Sequence, residues 1–168
     1  LFAQTSFSQW LPEQRLTNAA GVSKGNFNNS KWISVSNNFV HVVWTDSRNG
    51  TEAVYYKRSS DLGATWDIEV KINNADSTAF YPSIATSGQF VHITWSDYRN
   101  GVGNVYYIKS SNSGSSWGPN IRISESPNGV SNSISCENEH LIICWTDTRV
   151  GNAQVYLRTS SDNGQSWN

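Results

Sequence analysis

Ser60-Asp61-Leu62-Gly63-Ala64-Thr65-Trp66, Ser111-Asn112-Ser113-Gly114-Ser115-Ser116-Trp117 and Ser161-Asp162-Asn163-Gly164-Gln165-Ser166-Trp167 are three copies of one phrase, their tryptophans 51 and 50 residues apart. A period of that length marks a repeat architecture, so it takes precedence over any residue-by-residue reading. The phrase has a mechanical explanation that needs no ligand. The Asp or Asn accepts hydrogen bonds from the amides of its own turn, the glycine supplies a φ the turn requires, and the Trp packs back into a sheet. Asp61, Gly63, Trp66, Asn112, Gly114, Trp117, Asp162, Gly164 and Trp167 are therefore read as structural.

A second phrase keeps the same register: Trp44-Thr45-Asp46-Ser47-Arg48-Asn49-Gly50, Trp95-Ser96-Asp97-Tyr98-Arg99-Asn100-Gly101 and Trp145-Thr146-Asp147-Thr148-Arg149-Val150-Gly151. Between the phrases, apolar residues alternate or run in short stretches bounded by turn residues, which predicts strands and no helix. In the middle unit the strands fall near Ser83 to Ser87, Phe90 to Ser96, Asn104 to Ser110 and Trp117 to Ile123, with turns at Gly88-Gln89, at Arg99-Asn100-Gly101 and at the Asx turn. Four short antiparallel strands in a unit of about fifty residues make one blade of an all-β propeller. Trp10 takes the tryptophan position one repeat earlier, 56 residues before Trp66, so the first unit holds about five extra residues, expected in Val22 to Ser30. The chain thus divides into an N-terminal segment, 1–9, and three blades at about 10–66, 67–117 and 118–168.

The Ser-x-Asp-x-Gly-x-Thr/Ser-Trp pattern resembles the Asp-box, or BNR, repeat of the sialidase and neuraminidase superfamily, and the likeness runs over nearly the whole chain. It implies a β-propeller whose boxes sit on the turn from the third to the fourth strand, on the face away from the site. Asn112 departs from the pattern but can form the same Asx turn.

The Trp-x-Asp-x-Arg phrase ends the second strand of each unit, and its loop opens on the opposite face. Asp46, Asp97 and Asp147 share a strand parity with Arg48, Arg99 and Arg149, so each pair projects to one side. Two roles follow: a set of guanidinium groups that hold a carboxylate or sugar hydroxyl bidentately, or ion pairs that fix the turn. Recurrence in all three units favours the ion pair, because repeat arrays repeat their interface chemistry. Residues without counterparts stand out as ligand candidates. Tyr81, within Phe80-Tyr81-Pro82, enters the innermost strand from the ligand face; Tyr98 interrupts a phrase that has Ser47 and Thr148 elsewhere; Trp32 stands where a strand begins. Aromatic rings at such mouths stack on sugars, and they also pack against neighbouring blades.

Twelve basic and thirteen acidic residues, with a net charge of −1, leave no electrostatic footprint for nucleic acid or anionic lipid, and neither nucleic acid nor a membrane is an expected partner. Leu1-Phe2-Ala3-Gln4 reads like the tail of an apolar signal segment, without a basic region before it, which points to an extracellular or otherwise exported protein. Cys136 and Cys144 lie on the two strands of a hairpin that turns near Asn138. Cys136 should face Leu141 while Cys144 points to the other side, so two free, packed thiols are expected. His41 and His92 are equivalent and His140 is offset; none has companions at metal-ligand spacing, and no cofactor or metal is expected.

A sialidase, on what the resemblance implies, uses three arginines against the substrate carboxylate, a tyrosine nucleophile paired with a glutamate, an aspartate acid/base and an Arg-Ile-Pro phrase. That phrase is absent here, no Tyr-Glu pair stands out, and Glu52, Glu125 and Glu139 lie in different contexts. The favoured reading is a non-catalytic sialidase-like module binding a glycan or a protein. The alternatives are an exo-glycosidase of sialidase type, whole or as a fragment, and a structural repeat of a surface protein. Three blades cannot close a ring, since propellers need about four to eight. Two copies would give six, with the strand near Trp10 to Thr17 of each copy completing the other's last blade as a strand-exchanged homodimer. The competing expectation is a longer chain with further blades.

Overall fold

Residues 12–25, 31–125 and 128–168 are described by the structure, a computed structural model, and among them the chain holds three antiparallel sheets and no helix. The first sheet contains β1 (Ser23–Lys24), β2 (Ile33–Ser36), β3 (Phe39–Asp46), β4 (Ala53–Ser59) and β5 (Val70–Lys71). The second contains β6 (Ala79–Ser87), β7 (Phe90–Asp97), β8 (Asn104–Ser110) and β9 (Ile121–Arg122), and the third β10 (Val130–Glu137), β11 (His140–Val150) and β12 (Asn152–Ser160). Consecutive strands pair, as tight turns of Gly, Asn and Ser between β-rich runs dictate, except that β1 and β2 both pair with β3. Residues 12–17 belong to no strand, while Trp10, Leu11 and the Leu1–Gln4 segment lie outside the described residues.

Two details depart from the expected strands. β6 starts at Ala79, four residues early, because it passes through a bulge: Phe80 pairs with Ser96 and Ser83 with Thr94, leaving Tyr81 and Pro82 between, with Tyr81 at φ 56°. β10 repeats the bulge between Val130 and Ser133, with Ser131 at φ 55°. In the first sheet β3 is met by two separate strands, β1 through Lys24 and Thr45 and β2 through Ile33 and Val42. The fourth strand of the second sheet is also shorter than expected. Gly118 N still donates to Lys109 O and Ile123 N to Val105 O, but Pro119 has no N–H to offer the ladder.

The sheets stack face to face. Val43, Val54, Tyr56 and Ile72 of the first unit pack on Ile84, Val91, Ile93, Trp95, Tyr106 and Ile108 of the second. The other face of the second sheet, through Ala85, Val105 and Tyr107, packs on Ile134, Leu141, Ile143 and Trp145 of the third. Burying such side chains contributes roughly 1.5–3 kcal/mol each before entropy is counted, so the two interfaces make up most of the core. Cys136 and Cys144 are free and half-buried, and Cys136 faces Leu141.

Candidate ligand site

Each Asx turn closes on itself at one end of its sheet. Asp61 accepts from Thr65 N at 2.8 Å, Thr65 Oγ1 at 2.6 Å and Ser59 Oγ at 2.7 Å, and Gly63 N donates to Ser59 Oγ at 2.8 Å. Those bonds hold the Asp61 carboxyl down at about 2, the Thr65 hydroxyl and amide contributing most. Asp162 repeats the set with Ser166 and Ser160, and its carboxyl too lies well below the usual range. Asn112 forms the same turn by accepting from Ser116 N and Ser110 Oγ while its amide donates to Ser116 Oγ. All three turns bond to the preceding hairpin: Leu62 N to Asn38 O, Ser113 N to Gln89 O and Asn163 N to Glu139 O.

The Asp-Arg phrases stand at the opposite end, on the β3–β4, β7–β8 and β11–β12 connections. Arg48 grips Asp46 with Nε at 3.0 Å and Nη2 at 2.9 Å, and Arg99 grips Asp97 at 3.0 and 2.7 Å. Arg149 bonds Asp147 through Nη2 at 2.6 Å. All three carboxylates are fully buried, and each guanidinium lies over a tyrosine ring at about 4 Å: Arg48 on Tyr55, Arg99 on Tyr106, Arg149 on Tyr156. Burial alone would raise Asp46 and Asp97, and the hydrogen bonds from Arg, Trp and Ser more than reverse it, so both stay ionised. Arg48 also reaches Glu69 at 2.6 Å, and Arg99 reaches Asn74 and Asn120. The arginines thus do not converge on one cavity; each closes its own sheet.

Another group of residues does converge. Lys24, Gly25, Thr45, Glu52, Phe80 and Tyr81 line a cleft of about 200 Å³ between the first and second sheets, at the Asp-Arg end. Lys24 Nζ donates to Glu52 Oε1 at 2.6 Å, both side chains partly exposed. The bulge in β6 turns Tyr81 against Phe80, edge to face at 4.4 Å, and Phe80 stacks on Tyr98 at 5.4 Å. Of the candidates, Tyr81 lines the cleft and Tyr98 supports the ring beside it, whereas Trp32 lines a neighbouring groove with Leu16, Val42 and Trp44. Lys24 is not among the sequence candidates, and Glu52, which has no tyrosine beside it in the sequence, shares this cleft with Tyr81. Their signal was non-recurrence: the positions equivalent to Lys24 hold Phe80 and Val130, and those equivalent to Glu52 hold Gly103 and Ala153.

His41 and His92 are buried and bond the hydroxyls of Tyr56 and Tyr107 at 2.7 and 2.8 Å. Desolvation first, and a nearby Arg58 or Lys109 second, push both imidazoles down to about 4. They are neutral links between strands. No cluster of three His, Cys, Asp or Glu among the described residues has the arrangement of a metal site.

Neither a protein-family model nor a curated protein matches this sequence. Among solved structures the chain is similar to a Trypanosoma rangeli sialidase, with a TM-score of 0.63 at 14% identity over 81% of this chain and 29% of that one. It is similar to an α-L-arabinofuranosidase of Fusarium graminearum, with a TM-score of 0.55 at 12% identity over 86% of this chain and 46% of that one. NanB sialidase from Streptococcus pneumoniae gives 0.55 at 17% identity, over 80% and 21%. The chain spans less than half the length of each of these. At such identities the likeness concerns the fold alone, and the fold is that of a sialidase-like β-propeller.

Proposed function

We propose that this chain is a non-catalytic glycan-binding propeller module that seats a sugar ring in the cleft of Lys24, Glu52 and Tyr81. The observation that carries the reading is the position of Tyr81. Its bulge recurs at Ser131, so the backbone conformation belongs to the architecture, but the aromatic side chain is singular and stands beside a charged pair in a concave opening. An aromatic face with a few polar groups at its rim is how sugars are held, by stacking and by hydrogen bonds from charged side chains. A cleft of about 200 Å³ suits one ring rather than a long chain.

Most glycoside hydrolases need two carboxylates about 5–9.5 Å apart around the scissile bond, and a tyrosine-nucleophile enzyme needs an acid/base carboxylate beside its Tyr-Glu pair. Glu52 is the one carboxylate among the described residues lining this cleft, and it is bonded to Lys24. The buried Asp46, Asp97 and Asp147 are each engaged by an arginine. That distribution supports binding over cleavage. The hydrolase reading rests on Glu52 sharing the cleft with Tyr81 and predicts turnover.

A glycan array on the purified chain, repeated with Tyr81→Ala, tests the proposal. Binding lost in the variant at unchanged melting temperature supports it. Release of fluorophore from a sialoside or an arabinofuranoside, abolished by Glu52→Gln, would replace it with the hydrolase reading.

A further inference from the structure

The two interfaces between sheets are built alike, and they differ at the cleft. Between the second and third sheets, Asn132 accepts from Thr94 Oγ1 and donates through Nδ2 to Tyr81 O at 3.2 Å and to Ser96 Oγ at 3.4 Å. A Cβ on Gly103 would stand 2.7 Å from Val130 Cγ1 and 3.1 Å from the Tyr98 ring, so nothing larger fits there without a shift. One interface earlier, Pro82 takes the place of Asn132, Val43 that of Thr94, Thr45 that of Ser96 and Glu52 that of Gly103. Neither Pro82 nor Val43 has a side-chain hydrogen-bonding group, so the polar plug is gone, and a carboxylate enters where glycine stood. Particular residues therefore open the cleft at this interface; it is not a by-product of the repeat.

The charges in the cleft decide what it accepts. Among the described residues lining it, Lys24 and Glu52 are the charged ones, and at 2.6 Å they cancel. Their bond uses one ammonium hydrogen and one carboxylate oxygen. Two N–H donors and Glu52 Oε2 are left side by side, a donor and an acceptor in one place. Two neighbouring hydroxyls of a sugar ring match that arrangement, one accepting from Lys24 and one donating to Glu52, and neither charge loses its partner. A ligand carboxylate would instead bring a second negative charge up to Glu52 and compete with it for Lys24. The forked guanidinium groups that suit a carboxylate are committed: Arg48 and Arg99, on the connections at this end of the two sheets, are held by Asp46 and Asp97.

We propose, on the basis of the glycan-binding reading above, that the ligand is an uncharged sugar and that the pair of Lys24 and Glu52 excludes acidic ones. The apolar face of the ring lies on Tyr81, and two adjacent hydroxyls face the ion pair. Tyr81 is presented in a fixed position. Its ring meets Phe80 edge-on at 4.4 Å, Phe80 stacks on Tyr98, and its carbonyl is held by Asn132 from the third sheet. A surface fixed in this way loses little freedom when a sugar lands on it.

The test is an array of neutral and acidic glycans, followed by titration of the full chain with methyl galactoside and methyl galacturonide, which differ by one carboxylate. Neutral glycans should bind at least about tenfold more tightly than acidic ones. Their affinity should change by less than about twofold between low and high sodium chloride, a reading that needs no variant. Glu52→Gln, checked for an unchanged melting temperature, frees Lys24 and should shift the preference toward the galacturonide by about tenfold or more. Acidic glycans bound as tightly as neutral ones, salt-sensitive binding, or an unshifted preference in the folded Glu52→Gln chain would each overturn the proposal. If that binding is still lost in Tyr81→Ala, the cleft remains the glycan site and only the ligand class falls. Binding that survives Tyr81→Ala, or no glycan bound at all, would overturn the site and the proposal together.

Discussion

The Tyr56 hydroxyl occupies the space where a Cβ would stand on Gly114, so the first sheet is keyed into the Asx turn of the second. Tyr107 and Gly164 make the same fit between the second sheet and the third. Both glycines also sit at positive φ, 79° and 73°, and Trp117 and Trp167 close edge-on over the two tyrosines. Gly114→Ala should therefore destabilise the fold by about 2–4 kcal/mol, strain and overpacking together. Gly101, at φ 78° with open space around it, is the control and should cost only about 1–2 kcal/mol. Urea melts of the two variants separate the terms; equal losses would mean that the tyrosine key contributes nothing.

His41 and His92 make stability depend on pH. Each is neutral in the fold down to about 4 and takes up a proton near 6.5 when unfolded. A depressed folded value means that the stabilisation is complete above 6.5 and is lost as pH falls from 6.5 toward 4. The slope approaches about 1.4 kcal/mol per pH unit for each buried ring. Denaturant midpoints at pH 7 and pH 5 measure it. Imidazole resonances of either residue titrating near 6.5 in the folded protein would refute the assignment.

Within the Asx turns, the serines that open them are the buried members. Ser59 and Ser110 each accept from a glycine amide and donate to the Asp or Asn two residues on. Replacing either by Ala leaves a glycine amide unpaired, part-buried at Gly63 and buried at Gly114, and should cost about 1–3 kcal/mol. Asp61→Ala and Asp162→Ala should also lower the melting temperature, in each case without changing glycan binding. Intact stability with lost binding would move these turns from the scaffold to the site.

The Asx turns were legible because their chemistry is local: Ser, Asp, Gly and Thr within seven residues satisfy one another, and three copies repeat the arrangement. Strand order followed from the same punctuation. The bulge at Tyr81 was not legible, since its positive φ comes from pairing with β7 and Tyr81 carries no glycine-like signal. Nor was the key between Tyr56 and Gly114, which joins residues of different units. The repeated arginines were visible as candidates, but their engagement by buried carboxylates depends on burial, and parity alone placed them only on the same side. Lys24 and Glu52 lie far apart in sequence and meet because β1 returns beside β3.

Arg99 offers the clearest test of whether the repeated phrase is scaffold or site. Its guanidinium bonds both oxygens of Asp97, lies over Tyr106 at 4.0 Å and is mostly shielded from water. Removing it leaves Asp97 fully buried, with Trp95 Nε1 at 3.0 Å and Ser77 Oγ at 2.9 Å as its remaining side-chain donors. Taking one partner from a buried pair costs about 3–5 kcal/mol, and the two surviving donors place Arg99→Ala near the lower end. Arg99→Lys keeps the charge but loses the fork and the stacking, for an expected loss of about 1–2 kcal/mol. The bonds that hold the Asp97 carboxyl below its ordinary value of 3.8 contribute stability that is present above 3.8 and lost as pH falls below it. Arg99→Ala should flatten that acid limb. Urea melts at pH 7 and pH 3 read both effects. A loss under about 0.5 kcal/mol, the usual range for surface changes, would show that the pair does not hold the β7–β8 turn and would return the arginines to the ligand site.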